Sequence, residues 1–495
     1  MRPSNPSTRS GAWRRAAALV AAIAALAGAP ARAQPSVTDP GLAVTTAASG
    51  LSQPIGIAFI GNGDMLVIEK ASGQVRRVIN GVVQPLPLID LAVNSASERG
   101  LLGIALHPQF PAVPHVYLFW TESNTGADSN AVSTVPLLGN RVDRFIWNGS
   151  FLAFDASLLR LRARQTDNVP VPGHPGTQNV NERANHDGGQ LRFGPDGRLY
   201  VFVGDLGRRG AMQNLANGPF LTPPFVDDAF GGPQPDDAHL SGVVLRIGAD
   251  GSVPVDNPFF AVGAAMGGEV GANLQLVFSY GHRNGFGMAF DPLAGHLWLT
   301  ENGDDAFSEV NRVRPGMNGG WIQVMGPLSR IAQFKQIETL QFSSSLQQVR
   351  YPPTRIAYSP AVATSRLFML PGAIYVDPVF SWKYDVAPAG AGFVAGTALG
   401  QQHEGTLWIG SALETSGRLY RMRLTPDRQL VDTSADPRLA DRVADNLTKH
   451  GTTESETLIV GTGFGSTPDI VQGPDGALYV VSISNGAIYR IGPKQ

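Results

Sequence analysis

The sequence predicts an all-β fold: a six-bladed β-propeller of four-stranded antiparallel blades with long inserted loops. Three observations lead to this prediction. A turn followed by a strand rich in aliphatic and aromatic residues recurs six times, further extended segments follow these copies, and few segments have helical periodicity. Function in such a ring is expected where the loops of all blades converge at one end of the central channel.

The six copies are irregularly spaced because loops of different length separate them. They comprise residues 59–67, 105–119, 185–205, 290–299, 404–409 and 473–480. The helical signal lies around residues 331–346, within an insertion at about 322–372 between the fourth and fifth copies. We therefore expect residues 34–495 to form a single propeller domain that carries one large insertion.

Composition and charge restrict the function. The chain has 495 residues, of which 43% are hydrophobic, so it can bury a large core. Its formal net charge is -2, which provides no basic surface for nucleic acid. Cysteine is absent, so that stability depends on the core, on ring closure or on bound ions rather than on disulfides.

The first 33 residues are predicted to be an export signal. Arg14 and Arg15 precede an apolar run over residues 16–29, and a small-x-small cleavage signal follows at residues 31–33. The run is too short for a membrane span, and no later segment is a candidate. The sequence therefore predicts a periplasmic or secreted protein without a transmembrane segment.

The third copy brings a histidine and a carboxylate together. Residues 194–197 read Gly-Pro-Asp-Gly, which is typical of a tight turn between two strands. A hairpin here places His186 and Asp205 side by side at its far ends. An imidazole held by a carboxylate is a general base with a fixed tautomer. The alternative is a turn cap and a strand end with no chemical role.

The loop over residues 301–311 is rich in carboxylates, amides and glycine. Oxygen ligands of this kind suit a hard cation such as calcium. The loop lacks the spacing of an EF-hand, and by spacing alone a solvated acidic loop is the other interpretation.

An ordered set of motifs runs along nearly the whole mature chain: residues 100–108 (GLLGIALHP), His186 with Gly188 and Gly189, residues 194–197 (GPDG), Gly204 with Asp205, and residues 244–247 (VLRI), 250–254 (DGSVP), 256–258 (DNP), 281–284 (GHRN), 309–311 (EVN) and 318–321 (NGGW). Together these motifs resemble those of the soluble sugar dehydrogenases that use pyrroloquinoline quinone, the glucose/sorbosone dehydrogenase family. The resemblance implies a six-bladed propeller that oxidises an aldose or a related alcohol.

The resemblance also implies roles for individual residues. His186 corresponds to the base that removes a sugar hydroxyl proton while hydride passes to the quinone, and Asp205 to the carboxylate that orients it. Arg283 corresponds to the cation that stabilises charge on the quinone, and Asn284 to a neighbouring cofactor contact. These residues would combine base catalysis with cationic electrostatics around one hydride transfer.

Two calcium ions are implied by the same resemblance. The carbonyls of Gly303 and Asp304 correspond to ligands of a calcium that binds and polarises the quinone. Glu309 and the Gly319 carbonyl correspond to ligands of a second, structural calcium.

The resemblance also implies substrate contacts, and this sequence differs from the family at several cofactor-binding positions. Glu98 corresponds to a substrate contact, and Trp382 to a residue that covers the cofactor or the sugar. The family neutralises the quinone carboxylates with two arginines and a lysine, but here Ser466 and Pro468 occupy the arginine positions and residues 413–416 lack the lysine. The candidate replacement cations are Lys383, Arg208 and Arg209.

Three functions remain open from the sequence. The first is a periplasmic quinone-dependent dehydrogenase that acts on a small sugar or alcohol and passes electrons to an unknown acceptor. The second is a calcium-dependent hydrolase, such as a lactonase, in which His186 activates water. The third is a non-catalytic propeller that binds glycans or proteins. Dye reduction with quinone and calcium, chelator-sensitive ester hydrolysis, or glycan binding that survives His186→Ala would distinguish them.

Overall fold

The structure, a computed structural model, describes residues 34–164, 185–207, 240–341, 353 and 356–494. The predicted export signal lies outside these residues, as do Arg208 and Arg209. Among the described helices, none has the length and apolarity needed to cross a membrane.

Short strands account for most of the regular structure. In the first half of the chain they are β1 (Ser36–Val37), β2 (Leu42–Ser49), β3 (Pro54–Gly61), β4 (Asp64–Glu69), β5 (Gln74–Ile79), β6 (Val82–Val83), β7 (Ile89–Asp90), β8 (Leu101–Leu106), β9 (His115–Thr121), β10 (Asn140–Trp147), β11 (Leu152–Leu161), β12 (Leu191–Phe193), β13 (Leu199–Val203) and β14 (Val243–Ile247). In the second half they are β15 (Val277–Tyr280), β16 (Gly285–Phe290), β17 (Leu297–Glu301), β18 (Ala306–Val313), β19 (Met317–Asn318), β20 (Ile374–Tyr375), β21 (Phe380–Tyr384), β22 (Pro388–Phe393), β23 (Leu407–Ser411), β24 (Leu419–Met422), β25 (Val443–Ala444), β26 (Ile459–Thr462), β27 (Asp469–Gln472), β28 (Leu478–Ser482) and β29 (Ala487–Pro493).

The described strands form six sheets. In chain order, the first contains β3–β7, the second β8–β11, the third β12–β15 with β19 and β20, the fourth β16–β18 with β21 and β25, the fifth β22–β24 with β26 and β1, and the sixth β27–β29 with β2. The first strands of these sheets contact one another in turn, β3 with β8, β8 with β12, β12 with β16, β16 with β22, β22 with β27, and β27 again with β3. The predicted all-β propeller fold is confirmed.

The ends of the described chain join at the sixth sheet. Strand β2 pairs antiparallel with the last strand, β29, from Leu42 opposite Pro493 to Ser49 opposite Ala487. Strand β1 pairs with β26 in the fifth sheet. Main-chain hydrogen bonds therefore fasten the ring where covalent continuity is missing.

The prediction of uniformly four-stranded antiparallel sheets is wrong for most of the ring, because only the second and sixth sheets have four strands. The additional strands are mostly two-residue segments of inserted loops, and β19, β20 and β25 pair in parallel. Such segments cover the outer edge of a sheet, where unpaired backbone groups would otherwise remain.

The described residues contain four α-helices: α1 (Phe260–Met266), α2 (Gly268–Leu274), α3 (Ile331–Gln341) and α4 (Pro360–Ser365). Helix α3 confirms the predicted helical signal up to its last described residue. Helices α1 and α2 were not predicted; they are short and contain three glycines between them. Their glycines allow close packing, because a Cβ atom on Gly263 would lie 2.3 Å from the Gly271 carbonyl oxygen.

The core consists of apolar side chains between neighbouring sheets. Between the third and fourth sheets, for example, Phe202, Met288 and Leu299 are fully buried. Strands β12 and β13 form the predicted hairpin around the 194–197 turn, with Phe193 opposite Leu199. This packing fixes the ends of the two sheets from which the candidate site is built.

Candidate functional site

His186 and Asp205 meet as the hairpin predicts. The Nδ1 atom of His186 lies 2.5 Å from Oδ1 of Asp205, and the two side chains are 2% and 0% exposed. Gly204 makes this approach possible, since a Cβ atom there would lie 2.1 Å from the His186 carbonyl oxygen. The carboxylate therefore fixes the proton of the imidazole on Nδ1 and leaves Nε2 as the acceptor.

Asp205 is itself held by two donors. The indole Nε1–H of Trp321 donates to Oδ2 at 2.7 Å, and the Gly207 amide donates to Oδ1 at 2.8 Å. Trp321 is buried and comes from the loop after β19. The sequence singled out Trp321 only as part of the NGGW motif, so its contact with Asp205 is a finding of the structure.

Arg283 shares the site with this pair. Its carbonyl accepts a hydrogen bond from the Asp205 amide at 2.8 Å, and its guanidinium carbon lies 5.4 Å from the centre of the Trp321 ring. Glu301 accepts a hydrogen bond from the Arg283 amide at 2.7 Å. The loop before β16 is thereby fixed beside the end of β13.

The guanidinium of Arg283 turns toward the 302–304 loop. Its Nη1 atom donates to the carbonyls of Asn302 at 2.6 Å and Gly303 at 2.9 Å, and Nη2 lies 3.4 Å from Asp304 Oδ1. The Nε atom is buried and makes no hydrogen bond within the described residues. Asn284 adjoins Arg283, and its buried Oδ1 atom also has no partner there. A buried polar atom without a partner needs a physical explanation, and a bound polar ligand is one such explanation.

The two carbonyls predicted to bind calcium already contact cations. Gly303 accepts from Arg283, and the Asp304 carbonyl accepts from Lys449 Nζ at 2.8 Å. Lys449 also pairs with Asp305 at 2.9 Å. Burial lowers the pKa of Lys449, but the hydrogen bond to Asp305 and nearby carboxylates outweigh this effect, so the pKa is raised. A permanent ammonium thus lies where the resemblance implies a metal.

Among the described residues there is no group of three His, Cys, Asp or Glu side chains suited to an ion. Glu309 accepts from the Gly326 amide at 2.5 Å and from Asn311 at 2.8 Å. Burial and the charge of Glu301 raise the pKa of Glu309 to about 8. Gly319 lies in the loop that leads to Trp321, and its amide donates to the Tyr280 carbonyl at 2.8 Å.

Glu98 contacts the base from another direction. Its Oε2 atom accepts a hydrogen bond from the His186 amide at 2.5 Å. Burial raises the pKa of this carboxyl group, although the nearby charges of His186 and Arg283 oppose the shift. His186 has a φ of +63°, a conformation that costs energy in a residue other than glycine. The bond from Glu98 stabilises this conformation.

The structure does not bring two of the predicted residues to the site. Trp382 is fully buried in the apolar core between the fourth and fifth sheets, with its ring centre 4.9 Å from that of Phe380. This corrects the prediction that Trp382 covers a ligand, because its side chain has no exposed surface. Lys383 is directed toward Asp445, with Nζ at 3.8 Å from Oδ1.

The missing quinone contacts have no replacement at their own positions. The Ser466 amide donates to Ser484 Oγ at 3.0 Å, and Thr467, beside Pro468, is fully buried. Within the described part of the site, Arg283 and Lys449 are the cations next to the 302–304 loop.

Comparison with known proteins identifies the family. A model of the glucose/sorbosone dehydrogenase family matches residues 51–148 and 175–376. Quinoprotein glucose dehydrogenase B of Acinetobacter calcoaceticus is 31% identical over 290 residues, 56% of this chain and 52% of that protein. Aldose sugar dehydrogenase YliI of Escherichia coli is 24% identical over 448 residues, 90% and 91% of the two chains. The structure of the PQQ-bound aldose sugar dehydrogenase of Streptomyces coelicolor superposes with a TM-score of 0.55 and 22% identity over 92% of this chain and 99% of that one, a likeness of fold. The chain belongs to the glucose/sorbosone dehydrogenase family.

Proposed function

We propose that the chain is a dehydrogenase that oxidises a hydroxyl group of an aldose or a related alcohol, with His186 as the general base. The observation that supports this most is the arrangement of His186, Asp205 and Trp321 beside Arg283. The relatives named as glucose and aldose sugar dehydrogenases indicate the substrate class.

The proton chemistry follows from the hydrogen bonds. Nδ1–H of His186 donates to Asp205, so the lone pair on Nε2 is available to accept the proton of a substrate hydroxyl. Asp205 then stabilises the imidazolium. Trp321 and the Gly207 amide hold both carboxylate oxygens, so the carboxylate orients the ring rather than accepting its proton.

The redox partner proposed for this chain is pyrroloquinoline quinone, because its relatives include a quinoprotein glucose dehydrogenase and a PQQ-bound aldose sugar dehydrogenase. When bound, this quinone accepts the hydride that leaves the substrate carbon. The acidic, oxygen-rich cofactor fits one side of the site, where the buried Nε–H of Arg283 has no acceptor among the described residues and Lys449 supplies a second cation. On the other side, Ser466 and Pro468 are not basic, and the described cation that reaches the neighbouring Asp469 is Arg192, whose Nη2 atom pairs with Asp469 Oδ1 at 2.5 Å.

Calcium fits the described residues poorly at the Gly303 and Asp304 carbonyls, because Arg283 and Lys449 occupy both. We therefore propose that these two cations provide the positive charge at this position. The calcium-dependent hydrolase gains no support from this arrangement. A structural calcium at Glu309 and Gly319 stays a prediction, as does contact of Glu98 with the substrate.

We also propose that residues 1–33 direct the protein to the periplasm or outside the cell. Each of the six sheets is proposed to be one blade of the single domain over residues 34–495, since their first strands contact one another around a closed ring. The insertion at about 322–372 follows strand β19 and contains helix α3.

Calorimetric titration of pyrroloquinoline quinone into the purified protein, with and without calcium, tests the cofactor. Reduction of a dye by aldoses then tests turnover. We expect quinone binding without calcium, and turnover that His186→Gln lowers by at least about a hundredfold. His107→Gln is a matched control, because His107 lies in a turn where its Nδ1 accepts from the Gln109 amide at 3.1 Å. Absence of quinone binding in both buffers would contradict the proposal, and glycan binding without turnover would favour a binding protein instead.

A further inference from the structure

A cavity of about 550 Å³ lies between the third and fourth sheets, at the end of the strands opposite to His186. Tyr200 lines it near the start of β13, whose other end leads to Asp205, and Arg312 lines it near the end of β18, which begins after Asp304. We call it the arginine cavity. Its size is that of a small-molecule pocket.

One wall of the arginine cavity is aromatic. The ring of Tyr200 lies with its centre 5.0 Å from those of both Phe278 and Phe290, each in an edge-to-face arrangement. The Tyr200 hydroxyl donates to Asp196 Oδ2 at 3.0 Å, so its polar atom is already engaged. The wall therefore offers a planar ligand an apolar surface.

The other wall carries more positive than negative charge. Arg246, Arg312 and Arg314 line the cavity together with two carboxylates, Asp196 and Asp256. Both carboxylates pair with Arg246, at 2.8 Å and 2.9 Å. These two carboxylates therefore pair with Arg246 and not with Arg312 or Arg314.

Among the described residues, Arg312 has no counterion in contact. Its side chain is 7% exposed, its Nε atom is buried without a partner, and its guanidinium makes no hydrogen bond within the described residues. Arg314 also has a buried Nε atom without a partner. Burial and the charge of Arg314 lower the pKa of Arg312, although the guanidinium remains charged. A buried charge without a partner is unfavourable unless a ligand compensates it.

The surrounding titratable groups do not fill this role. Asp427 acts on Arg312 only through its field, because no ion pair joins the two side chains, and its Oδ1 atom accepts from Thr425 at 2.6 Å and from the Gln429 amide at 3.1 Å. Asp291 is held by Arg428 through two bonds of 2.7 Å. The His296 Nδ1 atom lies 3.2 Å from the Arg428 carbonyl, to which it donates.

The first sheet shows what is missing. Arg77 and Arg312 occupy equivalent positions, since Leu66–Arg77 and Trp298–Arg312 are matching cross-strand pairs. Asp64, one residue before the start of the equivalent apolar run, binds Arg77 through bonds of 3.0 Å and 2.7 Å. His296 stands where Asp64 stands in the first sheet. The fourth sheet thus has the arginine without its carboxylate.

We propose that the arginine cavity binds a small organic anion, with its carboxylate held by Arg312 and Arg314 and its planar apolar part against Tyr200, Phe278 and Phe290. The planar fork of a guanidinium matches a carboxylate in two parallel hydrogen bonds. The ligand supplies the charge that Asp64 supplies to Arg77, and the aromatic wall selects a planar body over a simple inorganic ion.

Calorimetric titration of the full chain with benzoate tests this proposal, with benzamide and inorganic phosphate as comparison probes. We expect benzoate to bind at least about tenfold more tightly than either probe, because only benzoate combines charge with a planar ring. Arg312→Gln is expected to weaken benzoate binding by about tenfold to a hundredfold. Arg77→Gln is the matched control and is expected to leave it unchanged.

His296→Asp provides an independent test that keeps every arginine. The new carboxylate is expected to pair with Arg312, as Asp64 pairs with Arg77, and to weaken benzoate binding by about tenfold or more. No benzoate binding to the unmodified chain, equal binding of benzamide or phosphate, or binding that survives both Arg312→Gln and His296→Asp would overturn the proposal.

Discussion

The first and fourth sheets carry the same arginine in the same cross-strand position, but only one of the two arginines has a carboxylate partner. Arg77 is paired with Asp64, whereas Arg312 faces a cavity and has no ion pair within the described residues. The sequences around them are Val75-Arg76-Arg77-Val78 and Val310-Asn311-Arg312-Val313. The residue opposite the arginine is Asp64 in the first sheet and His296 in the fourth. This difference gives Arg77 a structural ion pair and leaves Arg312 available to the proposed ligand.

The two ends of the fourth sheet also differ in how firmly the arginine at each end is held. At the end near His186, Arg283 is anchored to the carbonyls of Asn302 and Gly303 and keeps only its Nε atom free. At the other end, Arg312 is anchored to nothing in the described chain. Anchored charge is fixed in direction, which suits stabilisation of a developing charge, whereas unanchored charge can adjust to a ligand.

The largest effect is expected at the base. His186→Gln removes the proton acceptor at Nε2, and we predict a loss of about 10²- to 10⁴-fold in kcat for aldose oxidation. Benzoate binding in the arginine cavity, measured on the same protein, should not change because the cavity lies at the other end of the strands. A change in both measurements would show that the two ends are not independent.

A smaller effect is expected at Arg283. Arg283→Met removes the guanidinium and leaves the Asn302 and Gly303 carbonyls without their donor. We predict that the affinity for pyrroloquinoline quinone, measured by calorimetry, falls by about tenfold to a hundredfold. Unchanged affinity would show that Arg283 does not contact the cofactor. Lys449 would then be the remaining described cation proposed to contact it.

Glu309, on β18 between the two ends, should control the pH dependence of stability. Burial and Glu301 raise its pKa from an ordinary 4.5 to about 8, so the folded chain binds its proton more tightly than the unfolded chain. The resulting stability is fully present below pH 4.5 and is lost as the pH rises through 8.

Thermal unfolding between pH 4.5 and pH 8 measures this effect. Glu309→Gln should flatten the decline of Tm in calcium-free buffer. Calcium added above pH 8 should raise Tm in the parent chain alone if the predicted structural ion binds there. An equal pH dependence in the two proteins would contradict the raised pKa.

The smallest effect concerns the two matched arginines. Arg77→Gln should reduce the free energy of unfolding by about 0.2 to 1 kcal/mol, since it breaks a partly exposed ion pair. Arg312→Gln should not reduce it, because it removes a buried charge without a partner. Denaturant unfolding of both variants gives the comparison, and a larger loss for Arg312→Gln would show that Arg312 has a structural role.

Much of the fold could be predicted from the sequence because the signals are local. The Gly-Pro-Asp-Gly turn at residues 194–197 fixes the hairpin, and the hairpin length places His186 beside Asp205. Helices α1 and α2 were not predicted because their glycines weaken helix propensity, while their packing against each other depends on those same glycines.

The rest of the site depends on contacts between distant segments. The bond from Trp321 to Asp205 joins residues 116 positions apart, and nothing near either residue indicates it. Trp382 lies next to a polar loop in sequence, but its strand turns the ring into the core. The unpaired state of Arg312 could have been predicted from the sequence, because an alignment of the first and fourth repeats places His296 at the position of Asp64.

The most direct test of the central claim is the rate at which an aldose reduces pyrroloquinoline quinone bound to the purified protein, followed by absorbance in a single turnover. We predict rapid reduction by the unmodified chain and reduction at least about a hundredfold slower in His186→Gln, with equal quinone affinity in both proteins. Equal reduction rates in the two proteins would contradict the account.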